Sequence, residues 1–182
     1  MGSSSRSDAE LAERLDAIAY PGLTANFDAG KTAALAVTLL DWKVAGPAYA
    51  RAMTATADHL AHELHELGVP VFSVDRGVTR SHQFAISAER YGGGQHAARD
   101  LREANLLACG ISLLSAPVSG DTNGLRLGTP EITRLGMTDT DMPALASFVA
   151  RALSGPAGLV AAEVTAWRKQ FSGVHFTADN PR

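Results

Sequence analysis

Apolar positions recur with helical spacing over the first third of the chain and with strand spacing after Gly68. Asp8–Ala19 sets Leu11, Leu15 and Ile18 on one stripe, which predicts an amphipathic helix that Pro21-Gly22 breaks. From Ala29 to about Leu67 the residues favour helix, with an interruption expected at Gly46-Pro47. The first piece, Lys31–Lys43, is Ala-, Leu- and Val-rich nearly all round, the pattern of a helix covered on most sides. The second carries Ala57, Leu60, Ala61, Leu64 and Leu67 on one face.

Beyond Gly68, Val69–Val74 and His82–Ser87 read as strands with a turn at Arg76-Gly77. Gly92-Gly93-Gly94 reads as a flexible connector. His96–Cys109 reads as a helix with Ala97, Leu101, Ala104 and Ala108 inward, stopped by Gly110. Ile111–Leu114 and Gly124–Gly128 read as short strands around a loop at Pro117–Asn123. Thr138–Leu153 forms a helix opened by Thr138 or Thr140, with Pro143 in its first turn. A last helix runs from about Leu159 to Gln170, ahead of a loose tail from Ser172. Helices leading into a small three-stranded sheet backed by helices define an α+β layer domain.

Composition narrows the classes. The 182 residues are 46% apolar, enough for a sizeable core. Sixteen basic against 19 acidic residues give a net charge of −3 with no block of either sign, which argues against nucleic-acid binding. No apolar run approaches the ~20 residues of a membrane span, and the start, MGSSSRSDAE, lacks the hydrophobic stretch of a secretory signal. One cysteine, Cys109, excludes an internal disulfide framework and a Cys-rich zinc site, and suits a reducing cytoplasm. The only lysines are Lys31, Lys43 and Lys169.

Several segments invite a chemical reading. In Asp58-His59-Leu60-Ala61-His62-Glu63-Leu64-His65-Glu66 the histidines step by three. A zinc-protease helix needs two histidines four apart around a Glu, so a solvated polar face is the better reading and no metal is expected. The glycine run lacks the strand before it and the acidic residue after it that a nucleotide loop requires. Cys109, expected at a helix C-terminus where the dipole disfavours a thiolate, reads as a structural thiol. Trp42 and Trp167, on helical stretches, read as core or interface fillers.

Gly124-Leu125-Arg126-Leu127-Gly128-Thr129-Pro130 carries more information. It sets one arginine between apolar neighbours on a short strand, with glycines that let backbone or ligand approach. An arginine so placed is poorly solvated and needs an anion. Its planar fork suits a carboxylate, either a ligand's or that of a structural Asp or Glu.

GLRLGTPEITRLGM resembles the C-terminal signature of serine hydroxymethyltransferases, which are fold-type I pyridoxal-phosphate enzymes. Ala19-Tyr20-Pro21-Gly22-Leu23 is similar to that family's Phe-Pro-Gly-Leu segment, and the Ala/Val-rich helix after it also matches. Thr79-Arg80-Ser81-His82 resembles its Thr-Asp-Asn-His strand, and Leu106–Ser112 its helix-to-strand passage. These segments follow the family's order over roughly residues 9 to 153. The resemblance implies that Arg126 binds the α-carboxylate of an amino-acid substrate and that His82 is architectural. In the family a large-domain lysine, upstream of the Pro-Gly-Leu segment, holds the cofactor as a Schiff base. None of the three lysines here matches it, so no catalytic residue is expected in this chain and that lysine is expected on a partner.

The resemblance also marks two departures. The family's phosphate-approaching Gly-Gly pair is Ala25-Asn26 here, leaving Thr24 and Asn26 as the candidate cofactor-phosphate contacts across an interface. The Asn-Lys-Asn stretch that meets folate is replaced by Leu113-Leu114-Ser115-Ala116, which implies folate independence. The implied layout is a disordered lead at 1–7, a helical segment at 8–56 packing on a partner large domain, the α+β small domain at 57–171 and a tail at 172–182. The short polar lead before the first helix leans toward a natural subunit over a truncated fragment, and a Lys31–Lys43 helix left uncovered requires a partner in either case. The expected function is that of the small-domain subunit of a two-polypeptide pyridoxal-phosphate enzyme, cytoplasmic, performing aldol or transaldol exchange at the Cα–Cβ bond of β-hydroxy-α-amino acids. Half of a folate-dependent hydroxymethyltransferase and a non-catalytic binding or regulatory module are the alternatives.

Overall fold

The sheet is built around its last strand. Gly124–Gly128 (β3) lies between Gln83–Ser87 (β1) and Cys109–Ile111 (β2), antiparallel to both, in the order β1-β3-β2. The computed structural model describes residues 4–23 and 28–181. It divides into two compact units, Met1–Leu40 and Asp41–Arg182.

The second unit holds the core. Ala57, Leu60, Ala61 and Leu64, one face of the long helix α2 (Ala29–Glu66), pack with Phe84 and Ile86 of β1 and with Leu125 and Leu127 of β3. Ala97 and Leu101 of α3 (Gly94–Glu103), the adjacent Ala104, and Met142, Leu145, Ala146 and Val149 of α5 (Met142–Ser154) complete the cluster. A short helix α4 (Pro130–Arg134) follows β3 directly, and α6 (Ala161–Arg168) closes the domain. This is the α+β layer architecture that the alternation and spacing imply. The strand at Gly124–Gly128 has the bounds read from its flanking glycines.

Four local differences have physical causes. Pro47 lies inside α2 and does not end it. Its exposed ring gives up one backbone hydrogen bond, while Gly46 makes room for the Trp42 ring, which a β-carbon there would meet at 2.7 Å. Val69–Val74 is not a strand. Only Val71 bridges to Ile86, and Val74–Arg76 forms a 3₁₀ turn; Pro70, which has no amide hydrogen, accepts from Ser87 N at 2.9 Å without donating back. The third helix ends at Glu103, not Cys109, with Asn105 in the left-handed region (φ 61°). Cys109 therefore opens β2, and the helix-dipole argument for its chemistry does not apply. Finally, the segment after Ser172 is docked. His175 N donates to Arg134 O at 2.8 Å, and Phe176 stacks on Tyr49 at 5.1 Å between centroids.

In the first unit, α1 (Ser4–Ala17) starts earlier than Asp8, and helical dihedrals break at Tyr20, just before Pro21. Every residue given a burial class in this unit is exposed. Leu35 is 59% exposed, Leu39 60% and Leu40 59%, where the composition of Lys31–Lys43 implies cover.

Asp41 ties α2 to the docked tail, accepting from Ala178 N at 2.9 Å and from Arg134 Nη2 at 2.8 Å. The Ala178 amide, and after it the Arg134 guanidinium, outweigh the opposing effect of burial and hold the carboxyl below its ordinary 3.8. Because the folded value is the lower one, this support for docking is complete above 3.8. It is lost as pH falls through the depressed value. The Ala178 amide resonance should therefore titrate below 3.8 in an NMR acid titration, and Asp41→Asn should abolish that step.

Candidate functional site: an exposed arginine on the open sheet face

Alternation along β3 turns Leu125 and Leu127 into the core and Gly124, Arg126 and Gly128 to the other face. Arg126 is exposed, so the poor solvation expected from its apolar sequence neighbours is not found. Those leucines point away from it across the strand. Its neighbours in space are Ala85 of β1 and Cys109 of β2, each directly opposite in register. Both are small, and neither is an acid. Among the described residues no carboxylate pairs with Arg126, whereas Arg134 and Arg151 have Asp41 and Glu163. Among the described residues the structural ion pair left open by the sequence is thus not formed, and a guanidinium so placed can take a ligand's anion.

The strand is held from both ends. After β3, buried Thr129 donates its hydroxyl to Met53 O at 2.7 Å, and its amide to His82 O at 3.0 Å. His82 contributes its backbone here, while its side chain is exposed. Thr79 and Ser81 shape the turn into β1 through hydrogen bonds to Gln83.

Before β3, two residues that the sequence reading missed organise the loop. Asp121 accepts from Gln95 N and His96 N at 3.0 Å each, capping the start of α3 from 25 residues away. Desolvation pushes its carboxyl up, but the amides of Gln95, His96 and Thr122 together pull it below the ordinary value. Asn123, 7% exposed, accepts from Leu113 N at 2.7 Å. Its amide nitrogen lies 3.0–3.1 Å from Leu113 O, Ser115 O, Ser115 Oγ and Ala116 O. A small polar residue just before a glycine-bounded strand was the available signal.

The glycine run is a packed junction and not a flexible connector. Gly92 and Gly93 have φ of 77° and 116°, and a β-carbon on Gly94 would lie 1.9 Å from Gly124 O. On α2, His59 and His62 pair with Glu63 (3.5 Å) and Asp58 (3.6 Å) on the helix side away from the core. Among the described residues no three His, Cys, Asp or Glu side chains converge as metal ligands. Trp167 packs between Phe148 and Phe171, and Trp42 tilts over Tyr49. Thr24 and Asn26 lie outside the described residues. No helix is long and apolar enough to cross a membrane among those described.

The site is thus an antiparallel β1-β3-β2 sheet with Arg126 on its open face and α2, α3 and α5 behind it. No family model matches. The chain is 63% identical over 169 residues to an alpha-methylserine aldolase of Variovorax paradoxus, and 53% identical over 171 residues to one of a Ralstonia species. It is 37% identical over 172 residues to the serine hydroxymethyltransferase of Methanopyrus kandleri. These matches take in 92–93% of this chain but only 38–40% of the relatives. The crystal structure of L-threonine transaldolase from Pseudomonas fluorescens superposes with a TM-score of 0.67 at 25% identity, over 79% of this chain and 33% of that one.

These relatives are pyridoxal-phosphate enzymes. The chain belongs with them as a C-terminal part of a serine hydroxymethyltransferase-like, fold-type I enzyme.

The described residues do not form a cradle for that cofactor. Lys31, Lys43 and Lys169 are all exposed and none lies on the sheet, and Lys31 faces Asp28 at 3.7 Å. What the sheet presents is the exposed guanidinium of Arg126.

Its openness is testable with Ala85→Glu, which places a carboxylate directly across from Arg126. The Arg126 Hε resonance should shift and its solvent exchange slow; an unchanged resonance would contradict the open face.

Proposed function

We propose that this chain is the small-domain subunit of a two-polypeptide pyridoxal-phosphate enzyme that acts on the Cα–Cβ bond of β-hydroxy-α-amino acids. The observation that carries the reading is Arg126, fixed on a central strand without an acidic partner among the described residues and flanked by small side chains. A guanidinium fork so presented binds the substrate α-carboxylate by two charge-assisted hydrogen bonds and fixes the orientation of Cα. In the cleavage direction the Cα–Cβ bond breaks, the β-hydroxyl gives up its proton to become an aldehyde, and Cα takes up a proton. In the transaldol direction a second aldehyde takes the place of the first.

The partner polypeptide carries the lysine and most of the cofactor contacts. Thr24 and Asn26 supply phosphate contacts across the interface. The exposed apolar residues of the first unit support such a partner, since Leu35, Val37, Leu39 and Leu40 remain in water otherwise. Folate independence is supported by Leu113 and Leu114, which offer a pterin no polar partner. A single cysteine is consistent with a cytoplasmic setting.

The test is reconstitution of the chain with a lysine-bearing large-domain polypeptide and pyridoxal phosphate, followed by aldehyde release from α-methylserine, serine and threonine. Arg126→Ala should raise the amino-acid KM at least about tenfold and slow turnover, as expected for a lost charge-assisted pair. Unchanged kinetics would remove the assignment. A complex that stays colourless and inactive would make the chain a non-catalytic module. A response of activity to added tetrahydrofolate would favour the folate-dependent alternative.

A further inference from the structure

The open face around Arg126 is asymmetric. At one end of β3, Gly128 faces Gln83, and a β-carbon there would meet its nearest side-chain atom, Pro130 Cδ, at an ordinary 3.6 Å. At the other end Ile111 lies opposite Gly124, and a β-carbon on Gly124 would come within 2.5 Å of Leu113 Cγ. Residues two apart on a strand share a face. The Leu113 side chain therefore lies over Gly124 on the side that Arg126 occupies, roughly 7 Å along the strand. A small amino acid whose carboxylate sits on the guanidinium lies within reach of it.

Leu113 is not free to leave. Its amide donates to Asn123 Oδ1 at 2.7 Å, and its carbonyl accepts from Asn123 Nδ2 at 3.1 Å. The same nitrogen is shared with Ser115 and Ala116. Asn123 is buried and three residues before Arg126, so the loop and the arginine are referenced to one strand. An apolar side chain held by a buried amide above a glycine is a fixed wall, and the glycine is what admits it.

We propose that Leu113 is a specificity-determining residue of the substrate site and Asn123 its positioning residue. Leu113 packs against the α-substituent of the bound β-hydroxy-α-amino acid and favours a small alkyl group over hydrogen. This rests on the reading of Arg126 as the carboxylate anchor. An added methyl group against an apolar wall is worth about ten- to two-hundredfold in discrimination. Exchanging the wall for a polar side chain removes that preference without touching the anchor.

The experiment compares kcat/KM for α-methylserine and serine in the reconstituted complex. Leu113→Ser should lower the ratio of the two about tenfold, chiefly through α-methylserine, and Leu113→Met should preserve it. Asn123→Ala should lower the ratio similarly. In the isolated chain it should also speed amide exchange at Leu113 while leaving exchange in the α5 core unchanged. A ratio that does not move in Leu113→Ser, in a complex where Arg126→Ala raises KM for both substrates, overturns the wall and leaves the anchor standing. If Arg126→Ala changes neither KM, the anchor reading fails and the wall falls with it. Unaltered exchange at Leu113 in Asn123→Ala overturns the positioning role.

Discussion

The two-residue period of β3 is the constraint from which the rest of the domain follows. Leu125 is fully buried and Leu127 nearly so, and with both committed to the core Arg126 has only the opposite face to occupy. Because β3 is the middle strand, its backbone pairs on both sides, and a slip in register would expose both leucines and bury a charge. The cross-strand neighbours then decide what the arginine can do. With Ala85 and Cys109 directly across from it, the guanidinium has small side chains on both neighbouring strands, and among the described residues no carboxylate pairs with it.

Much of this was legible in the sequence where local pattern and tertiary role agree. Glycines bracket β3, Leu60 and Leu64 mark the buried side of α2, and Thr138 and Pro143 sit at the opening of α5, where Thr138 N donates to Asp141 at 2.8 Å. The sequence misleads where a distant contact overrides local preference. Pro47 reads as a break but is absorbed on the exposed side of a long helix. Gly92–Gly94 reads as slack, yet the carbonyl of Gly124 lies against it. Arg126 stands out in the sequence, but its exposure does not, because sequence neighbours on a strand are not spatial neighbours. Asp121 and Asn123 went unread for the same reason, since their partners are as far as 26 residues away.

The two units differ in what water does to them. In Asp41–Arg182 the apolar side chains of five helices and a sheet converge. In Met1–Leu40 the described leucines are left in solvent, each forgoing about 1.5–3 kcal/mol relative to full burial. A helix apolar around most of its circumference is stable only when covered. That chain-wide imbalance agrees with an identity to aldolases and hydroxymethyltransferases that extends over only 38–40% of their length.

Gly94, Gly110 and Gly124 meet where no β-carbon fits, with clearances of 1.9 to 2.5 Å to the nearest atom. These contacts draw a boundary for sequence drift. Gly94 meets the backbone of β3, and Gly110 meets that of α3, so a methyl group at either must displace a main chain. The atoms nearest a β-carbon on Gly124 belong to a leucine side chain, and change there can be answered by change at Leu113. Of the three positions at this junction, only the one that borders the arginine's face can co-vary with a neighbour. The shape of that face can therefore diverge among relatives while the sheet that carries Arg126 stays the same.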